Sequence, residues 1–241
     1  MGIMDNHHSG WVPPVPFEGP SGLNRPDFRN GVAMSEKDIE DLYQDAKDYI
    51  DTRIEYTRLS LVEKGAKIIA DGTAANPIVF TSNEAVGARN EGDWGGLVIL
   101  GLAKNNQPGG VANIEGIVPT TDSQFGGNFD NDYSGILRYV RVEFAGIALE
   151  PNKEINGITF GSVGNQTIVD YVQVTLSGDD SFEWFGGTVN AKHLVAYRGL
   201  DDDMDCDFGY RGQVQFALIV RDPAIADQSS GSTSEGFECD N

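Results

Sequence analysis

Three successive segments near the carboxyl end repeat one pattern, in which a short apolar strand leads into a turn rich in Asp or Glu. Residues 171–174 lead into 179–184, residues 193–196 into 201–206, and residues 215–218 into 236–239, with an insertion at 222–234. The strands start at Tyr171, His193 and Gln215, so both steps are 22 residues. A fixed period in the low twenties, built from strands, predicts a parallel β-helix or a related β-solenoid.

The chain before this repeat divides into segments of different composition. Residues 1–33 are rich in Pro, Gly and Asn and predict a flexible leader. Residues 34–61 carry apolar side chains at three- and four-residue steps and predict an amphipathic helix that Ser35 can cap. The helix either caps the end of the solenoid or serves as a docking or coiled-coil helix. Residues 62–241 are predicted to form the β-helix.

Within 62–241, short apolar runs predict strands at 66–70, 77–82, 94–101, 136–144, 156–160 and 167–176. The run at 94–101 is almost continuously apolar, as expected for a strand buried in a parallel stack. Between these runs lies a long polar excursion at 103–134, with at most two short strands of its own. Loops of this length inside a compact domain are often functional.

The charge of the chain excludes several partners. Asp and Glu total 37 against 17 Lys and Arg, which gives a net charge of −20. Nucleic acids and anionic membrane surfaces select for Lys and Arg, so neither is expected as a partner. No apolar run is long enough to cross a bilayer, and no signal peptide is recognisable. The charge suits divalent cations, cationic partners or simple solubility.

Several motifs occur in an order that is familiar from one protein family. Residues 65–73, 77–82, 92–101, 177–187 and 198–203 resemble a family of bacterial secreted or surface-anchored proteins of unknown function, which form pectin-lyase-like right-handed parallel β-helices. The resemblance covers about 65–241. It implies an all-β fold and an extracellular or cell-surface location, often with a lipid anchor, and it implies no established enzymatic activity.

The chain departs from this family at both ends. Residues 1–61 stand where the family has an export signal and a first coil, and residues 43–64 weakly resemble the start of small holin-like membrane proteins. The sequence stops at Asn241, where members of the family continue into further coils. We therefore expect a β-helix truncated at its carboxyl end, with an exposed strand edge.

The acidic residues of the repeat predict a metal site. Alternation along an extended strand places Asp202, Met204, Cys206 and Phe208 inward and Asp201, Asp203, Asp205 and Asp207 outward. The 22-residue period also stacks Glu183, Asp205 and Glu238 at about 4.8 Å steps. Carboxylates this close repel one another, and Ca²⁺ would neutralise them with oxygen ligands. The predicted ligands are Glu183, Asp203, Asp205, Asp207 and Glu238, and the alternative is a solvated acidic face.

A second arrangement of carboxylates suggests catalysis. Some polysaccharide hydrolases with this fold use paired aspartates on neighbouring coils, with one carboxyl group as general acid and another to activate water. The corresponding candidates are Asp179, Asp180, Asp201 and Asp202. A lyase would add a basic residue beside Ca²⁺, and Arg198 and Arg211 are the near candidates. We interpret His193 as a structural, hydrogen-bonded histidine.

The remaining candidates are cysteines and aromatic residues. Cys206 and Cys239 occupy matching positions in adjacent coils and are either bridged or buried as free thiols. Phe182, Trp184, Phe185 and Phe208 are expected to stack in the core. In the excursion, Phe125, Phe129 and Tyr133 either contact sugar rings or are buried beneath the loop.

Three functions therefore remain open. The first is a non-catalytic extracellular or cell-surface module that binds or supports other molecules, with polysaccharide as a possible partner and Ca²⁺ on the acidic ledge. The second is a polysaccharide lyase or hydrolase that uses the paired aspartates. The third is a pure structural scaffold.

Overall fold

The computed structural model describes residues 60–114, 117, 119–150, 153–226 and 234–240. The predicted leader and the predicted helix up to residue 59 lie outside the described residues. The described strands are β1 Ser60–Val62, β2 Ile68–Asp71, β3 Ile78–Phe80, β4 Leu97–Leu100, β5 Ala112–Asn113, β6 Gln124–Phe125, β7 Gly135–Glu143, β8 Ala148–Glu150, β9 Lys153–Glu154, β10 Ile158–Gly161, β11 Ile168–Thr175, β12 Phe182–Phe185, β13 Asn190–Tyr197, β14 Met204–Asp207, β15 Gln213–Val220 and β16 Glu238–Cys239.

Two parallel sheets form the body of the protein. Sheet A has the strand order β1-β4-β10-β12-β14-β16. Sheet B has the order β15-β13-β11-β7-β2, and β3 also pairs with β7. Successive turns of the chain alternate between the sheets, and every pairing within them is parallel. This is the stacked-coil architecture of a parallel β-helix, and the predicted fold is confirmed.

The coil length is less regular than the sequence suggested. Ile168 pairs with Asn190, a step of 22 residues, but Asn190 pairs with Gln213, a step of 23. Gln215 therefore lies opposite Lys192, and the prediction that it aligns with His193 is wrong by one residue. The extra residue lies in the turn at 208–212, which is one residue longer than the equivalent turn at 186–189.

Sheet B is bent along a line of residues with positive φ. Tyr139, Tyr171, His193 and Phe216 have φ angles of 48°, 55°, 51° and 63° in the middle of β7, β11, β13 and β15. Their rings stack along the solenoid, with centroids 4.2 to 4.9 Å apart. The left-handed backbone breaks each strand into two parts. Accordingly, β2 pairs with the first part of β7 and β3 with the second.

The inward faces of both sheets form one apolar core. Its buried side chains include Leu97, Ile99, Phe160, Trp184 and Leu194. The rings of Phe160 and Trp184 stack at 5.7 Å, as expected for aromatic residues in the same file of adjacent coils. Full burial of such a side chain stabilises the fold by roughly 1.5–3 kcal/mol. The core predictions for Phe182 and Trp184 are confirmed.

A second apolar cluster covers part of the outer face of sheet A. The excursion contributes Ile114 and Phe125, which pack with Val98 and Leu100 of β4. A Cβ atom on Gly161 would lie 2.7 Å from the Phe125 ring, so only glycine admits this close approach. The two short strands expected in the excursion are β5 and β6, which pair antiparallel. The antiparallel pair β8–β9 was not predicted.

Phe185 and Phe208 belong to this outer cluster and not to the inner core. Phe185 is buried as predicted, although in the outer cluster, whereas the inward prediction for Phe208 is wrong. For Phe208 the physical reason is its φ of 50°, which ends the alternation of β14 and turns the side chain toward Phe125 and Phe185.

Candidate functional site

Two stacked turns carry the acidic residues. They connect β11 to β12 and β13 to β14, and they include Asp179, Asp180, Asp201 and Asp202. Backbone hydrogen bonds hold the turns together, because Ser181 N donates to Asp202 O at 2.8 Å. Asp202 N in turn donates to the Asp180 carboxylate at 3.0 Å. The period of the solenoid therefore converts residues 22 positions apart into neighbours.

Three carboxylates converge beside these turns. One oxygen each of Asp180, Glu183 and Asp205 lies within 4.8 Å of the others. Glu183 and Asp205 lie opposite each other in β12 and β14, and both are only 8% exposed. We call Asp180, Glu183 and Asp205 the acidic cluster. Asp180 also lies within 4.8 Å of a more exposed pair, Asp179 and Asp201.

The acidic cluster contains an oxygen without a partner. Asp205 Oδ1 is buried and accepts no hydrogen bond from an N–H or hydroxyl group of the described residues, and the neighbouring Glu183 carboxyl group can hydrogen-bond to Asp205 only when one of the two is protonated. No ion pair joins any of the three carboxylates to a Lys, Arg or His in the described part of the chain. A buried carboxylate oxygen without a donor or a cation is unfavourable, because its lost hydration is not replaced.

Polar side chains of the preceding coil border the cluster. Asn156 is buried, and its side-chain amide contacts the Glu183 carboxylate and lies 3.2 Å from the Thr159 hydroxyl group. Thr159 is opposite Glu183 in β10, and below it in the same file is the apolar Val98. The file thus changes from apolar to polar to acidic along the solenoid.

Burial and mutual repulsion raise the pKa values in the cluster. Burial, followed by the charges of neighbouring Asp residues, raises the pKa of Asp180 and of Glu183 well above the ordinary range. Burial raises the pKa of Asp205 to about 6. Without a cation, these raised pKa values make the charged form of each group less favourable than it is in water.

Glu238 extends the file by one coil. It lies opposite Asp205, so the predicted stack of Glu183, Asp205 and Glu238 is confirmed. Its side chain is more exposed than the cluster, and a hydrogen bond with Asp202 raises its pKa to about 7. Asp202 is 3% exposed and also accepts a hydrogen bond from Glu235 N.

The remaining predicted ligands are not brought together. Asp203 is fully buried and pairs with Arg221, whose Nη1 lies 2.7 Å from Asp203 Oδ2. Asp207 accepts a hydrogen bond from Phe208 N at 2.6 Å. The prediction of a solvated row of outward aspartates is therefore wrong for Asp203 and Asp205, because turns and neighbouring coils cover them.

The basic residues considered for catalysis pair with other carboxylates. Arg198 pairs with Asp222 at 2.8 Å, and Arg211 pairs with Asp130 at 2.9 Å. His193 Nδ1 lies 2.8 Å from Asp170 Oδ1, which agrees with a hydrogen-bonded structural histidine. Each of these three side chains is paired with a carboxylate outside the acidic cluster.

The aromatic residues of the excursion have separate environments. Phe125 is fully buried, whereas Phe129 is 56% exposed. Tyr133 is half-buried, with Lys67 Nζ 4.8 Å from the centre of its ring. In the aromatic ladder of sheet B, Tyr171 and His193 have a neighbouring ring on each side, whereas Phe216, in the described part of the chain, stacks on His193 alone and is 61% exposed.

The two cysteines lie opposite each other in β14 and β16, as predicted, and both are free thiols in the structure. Cys206 is half-buried against the inner core, and Cys239 is exposed. Burial, together with the neighbouring Cys239, raises the pKa of Cys206 to about 12.

The comparisons with known proteins agree with this geometry. The family model described as a pectate-lyase-like β-helix domain matches residues 44–241. The chain belongs to this family. No curated protein and no solved structure matches it significantly. The match begins inside the segment 34–61 that we predicted to be a helix. Within the described residues, no helix has the length and apolarity needed to cross a membrane.

Sequence reasoning missed part of the cluster. We assigned Asp180 to a catalytic pair and assigned Asn156 only to a predicted strand at 156–160. Asp180 could have been found, because it lies in the turn three residues before Glu183 and one coil from Asp202. Asn156 carries no comparable signal, since its position depends on a coil whose length differs from the repeat.

Proposed function

We propose that this protein is a non-catalytic β-helical binding module that holds a divalent cation in the acidic cluster. The observation that carries the proposal is Asp205 Oδ1, a buried carboxylate oxygen that has no N–H, hydroxyl or cationic partner among the described residues and lies beside Glu183 and Asp180. This oxygen would coordinate the cation, and the cation would neutralise the charges of the neighbouring carboxylates. The all-oxygen ligand set favours Ca²⁺, which takes carboxylate and amide oxygens in flexible geometry.

The proposed ligands come from three coils. Asp180, Glu183 and Asp205 would provide carboxylate oxygens. Asn156 would contribute its amide oxygen if its side-chain amide is rotated, since the oxygen and nitrogen of an amide are assigned from the surrounding hydrogen bonds. Asp203 is excluded from the proposed set because Arg221 already neutralises it.

The proposed partner is an anionic polysaccharide outside the cell. A chain of net charge −20 repels a polyanion, so contact would require a bridging cation. The half-buried Asp179 and Asp201 and the exposed Glu238 border the cluster and would meet the polymer or its hydroxyl groups. Membership of the pectate-lyase-like family supports a polymer of acidic sugars, and the extracellular location is part of the same proposal.

Calorimetry tests the cation. Chelator-treated protein is titrated with Ca²⁺ and with Mg²⁺, and the same titrations are made on Asp205→Asn and Glu183→Gln. We expect heat with Ca²⁺, a weaker signal with Mg²⁺, and affinity at least about tenfold lower in both variants. Asp122→Asn, at an exposed position of the excursion, is the matched control and should bind normally. Absence of Ca²⁺ binding, or normal binding by Asp205→Asn, would overturn the proposal.

Affinity electrophoresis in gels that contain polygalacturonate tests the partner. The protein should be retarded with Ca²⁺ and released by a chelator, and Asp205→Asn should migrate freely under both conditions. A neutral polysaccharide serves as the comparison gel. Equal retardation with and without chelator would remove the cation bridge from the proposal.

One observation favours a hydrolase as the second candidate. Asp180 holds a raised pKa, as a general acid requires, and Asp179 and Asp201 approach it within 4.8 Å. That spacing is shorter than the roughly 6.5–9.5 Å at which a water-activating carboxylate pair works. The spacing is nearer to the roughly 5–5.5 Å of a retaining pair, in which the second carboxylate attacks the sugar as a nucleophile. Release of new reducing ends without unsaturated sugars from polygalacturonate, abolished by Asp180→Asn, would favour the hydrolase over the binding module.

A further inference from the structure

Cys206 and Cys239 are directly paired across β14 and β16. Opposed residues in neighbouring parallel strands are about 4.8 Å apart. That separation falls within the roughly 4.4–6.8 Å that Cα atoms span across a disulfide. Because side chains in the same register point to the same face, both thiols project on one side of sheet A.

The strand that carries Cys239 is weakly held. β16 has two residues, and in the described part of the chain its partner is β14, through Asp205–Glu238 and Cys206–Cys239. In a solenoid each coil is stabilised by its neighbours, so a strand with one partner in the described chain opens first. A covalent link at this position would add a second kind of connection between β16 and β14.

We propose that Cys206 and Cys239 form a disulfide that fastens β16 to the coil below it. Both cysteines are free in the structure, and Cys239 is exposed and therefore open to an oxidant. The bond would close a long loop that includes the insertion at 222–234. Long loops are the case in which a crosslink restricts the unfolded chain most.

With glutathione disulfide as the oxidant, the reaction proceeds by two thiol–disulfide exchanges. The thiolate of Cys239 attacks one sulfur of glutathione disulfide and releases one glutathione thiolate, which takes up the proton lost from Cys239. The thiolate of Cys206 then attacks the Cys239 sulfur of the mixed disulfide and releases a second glutathione in the same way. Two protein thiols are oxidised, and one glutathione disulfide is reduced to two glutathione molecules.

The test uses the full chain, reduced and then equilibrated with glutathione disulfide. We expect peptide mass mapping to find Cys206 joined to Cys239 in one molecule, with the loss of two hydrogen atoms. We also expect amide exchange at residues 238–240 to slow by at least about tenfold in the oxidised form. Cys239→Ser, at the exposed position, should fold like the native chain and show no change of exchange on oxidation.

Three results would overturn the proposal. The first is a glutathione adduct that stays on Cys239 while Cys206 remains a thiol. The second is a disulfide between two molecules through Cys239. The third is an intramolecular bond that leaves amide exchange at residues 238–240 unchanged. Cys206→Ser provides a reference for the first two results. In this variant Cys239 can form only a glutathione adduct or a disulfide between two molecules.

Discussion

The outer face of sheet A has one region of buried apolar side chains and another region of buried carboxylates. At β4, Val98 and Leu100 lie beneath the apolar cover that Ile114 and Phe125 provide. At β12 and β14, Glu183 and Asp205 are almost as completely buried, but they face other carboxylates. The same alternation of side chains along parallel strands produces both regions. The two regions therefore differ in side-chain chemistry and not in backbone architecture.

Apolar packing accounts for the burial of side chains in the first region but not for the burial of carboxylates in the second. Removing apolar surface from water stabilises the fold by roughly 25 cal/mol per Å², so the covered region needs no ligand. Burying carboxylates is unfavourable unless a proton, a donor or a cation neutralises them. Asp203 has such a cation in Arg221, whereas Asp205 has none among the described residues.

The largest expected effect is in the apolar region. Phe125→Ala removes the ring that covers Gly161 and contacts the rings of Phe185 and Phe208. We expect a loss of about 4 kcal/mol in the free energy of unfolding, because a large buried side chain leaves a cavity. Urea denaturation measures it. Phe129→Ala, at an exposed site of the same excursion, is the control and should change the value by less than about 0.5 kcal/mol.

Equal effects of the two substitutions would contradict the comparison. They would mean that the excursion does not cover sheet A and that the outer face is not protected by packing. The comparison between a covered apolar region and an acidic region of the outer face would then no longer hold.

The second effect concerns a carboxylate that has its cation. Arg221→Met leaves Asp203 buried without the guanidinium group, which also donates hydrogen bonds to the carbonyl oxygens of Asp201 and Glu235. We expect a loss of about 3 kcal/mol, since breaking a buried pair leaves an uncompensated charge. Adding Asp203→Asn should recover part of it. Arg138→Met, which breaks the half-exposed pair with Asp71, is the control and should lose about 1 kcal/mol or less.

The double variant Arg221→Met with Asp203→Asn could instead be no more stable than Arg221→Met alone. It would show that the carbonyl contacts of Arg221, and not the charge of Asp203, account for the loss. The buried carboxylate of Asp203 would then, like that of Asp205, be tolerated without a paired cation.

The third effect concerns carboxylates without a cation. Because the folded-state pKa values of Asp205 and Glu238, about 6 and 7, lie above their unfolded values, the folded state binds more protons than the unfolded state between about pH 4 and 7. Stability without metal should therefore fall as the pH rises through this window. Thermal unfolding in chelator should show a decline of several °C, and Asp205→Asn should reduce it.

Calcium should reverse this decline above pH 7 in the native chain and not in Asp205→Asn. A midpoint that does not depend on pH in chelator would show that the cluster is hydrated or otherwise neutralised. Asp122→Asn, which alters an exposed carboxylate, should keep the native pH profile.

The solenoid could be predicted well from the sequence, because stacked coils repeat the same pattern of strand and turn residues at a nearly fixed spacing. The sequence also predicted which residues of β12, β14 and β16 lie opposite one another, since register follows from that spacing. It failed where coils differ in length. The extra residue at 208–212 shifted Gln215, and the positive φ of Phe208 reversed its side chain.

Burial was the other property that sequence could not supply. Alternation assigns Asp203 and Asp205 to an outward face, but neighbouring turns and Arg221 decide whether that face meets water. Asn156 enters the site from a coil that contains the unpredicted β8–β9 pair. Contacts that depend on insertions between coils leave no periodic trace in the sequence.

The smallest expected effect is at the edge of the excursion. Asp130 accepts hydrogen bonds from Arg211 at 2.9 and 3.3 Å, and these contacts join the excursion to the turn before β15. The pair is half-exposed, so Arg211→Met should lower the free energy of unfolding by only about 0.5–1 kcal/mol, and by less at high salt. Urea denaturation at low and high salt measures it. If this loss approached that of Phe125→Ala, the cover over sheet A would depend on surface charge rather than on apolar packing, and the two regions of the outer face would be held by the same kind of force.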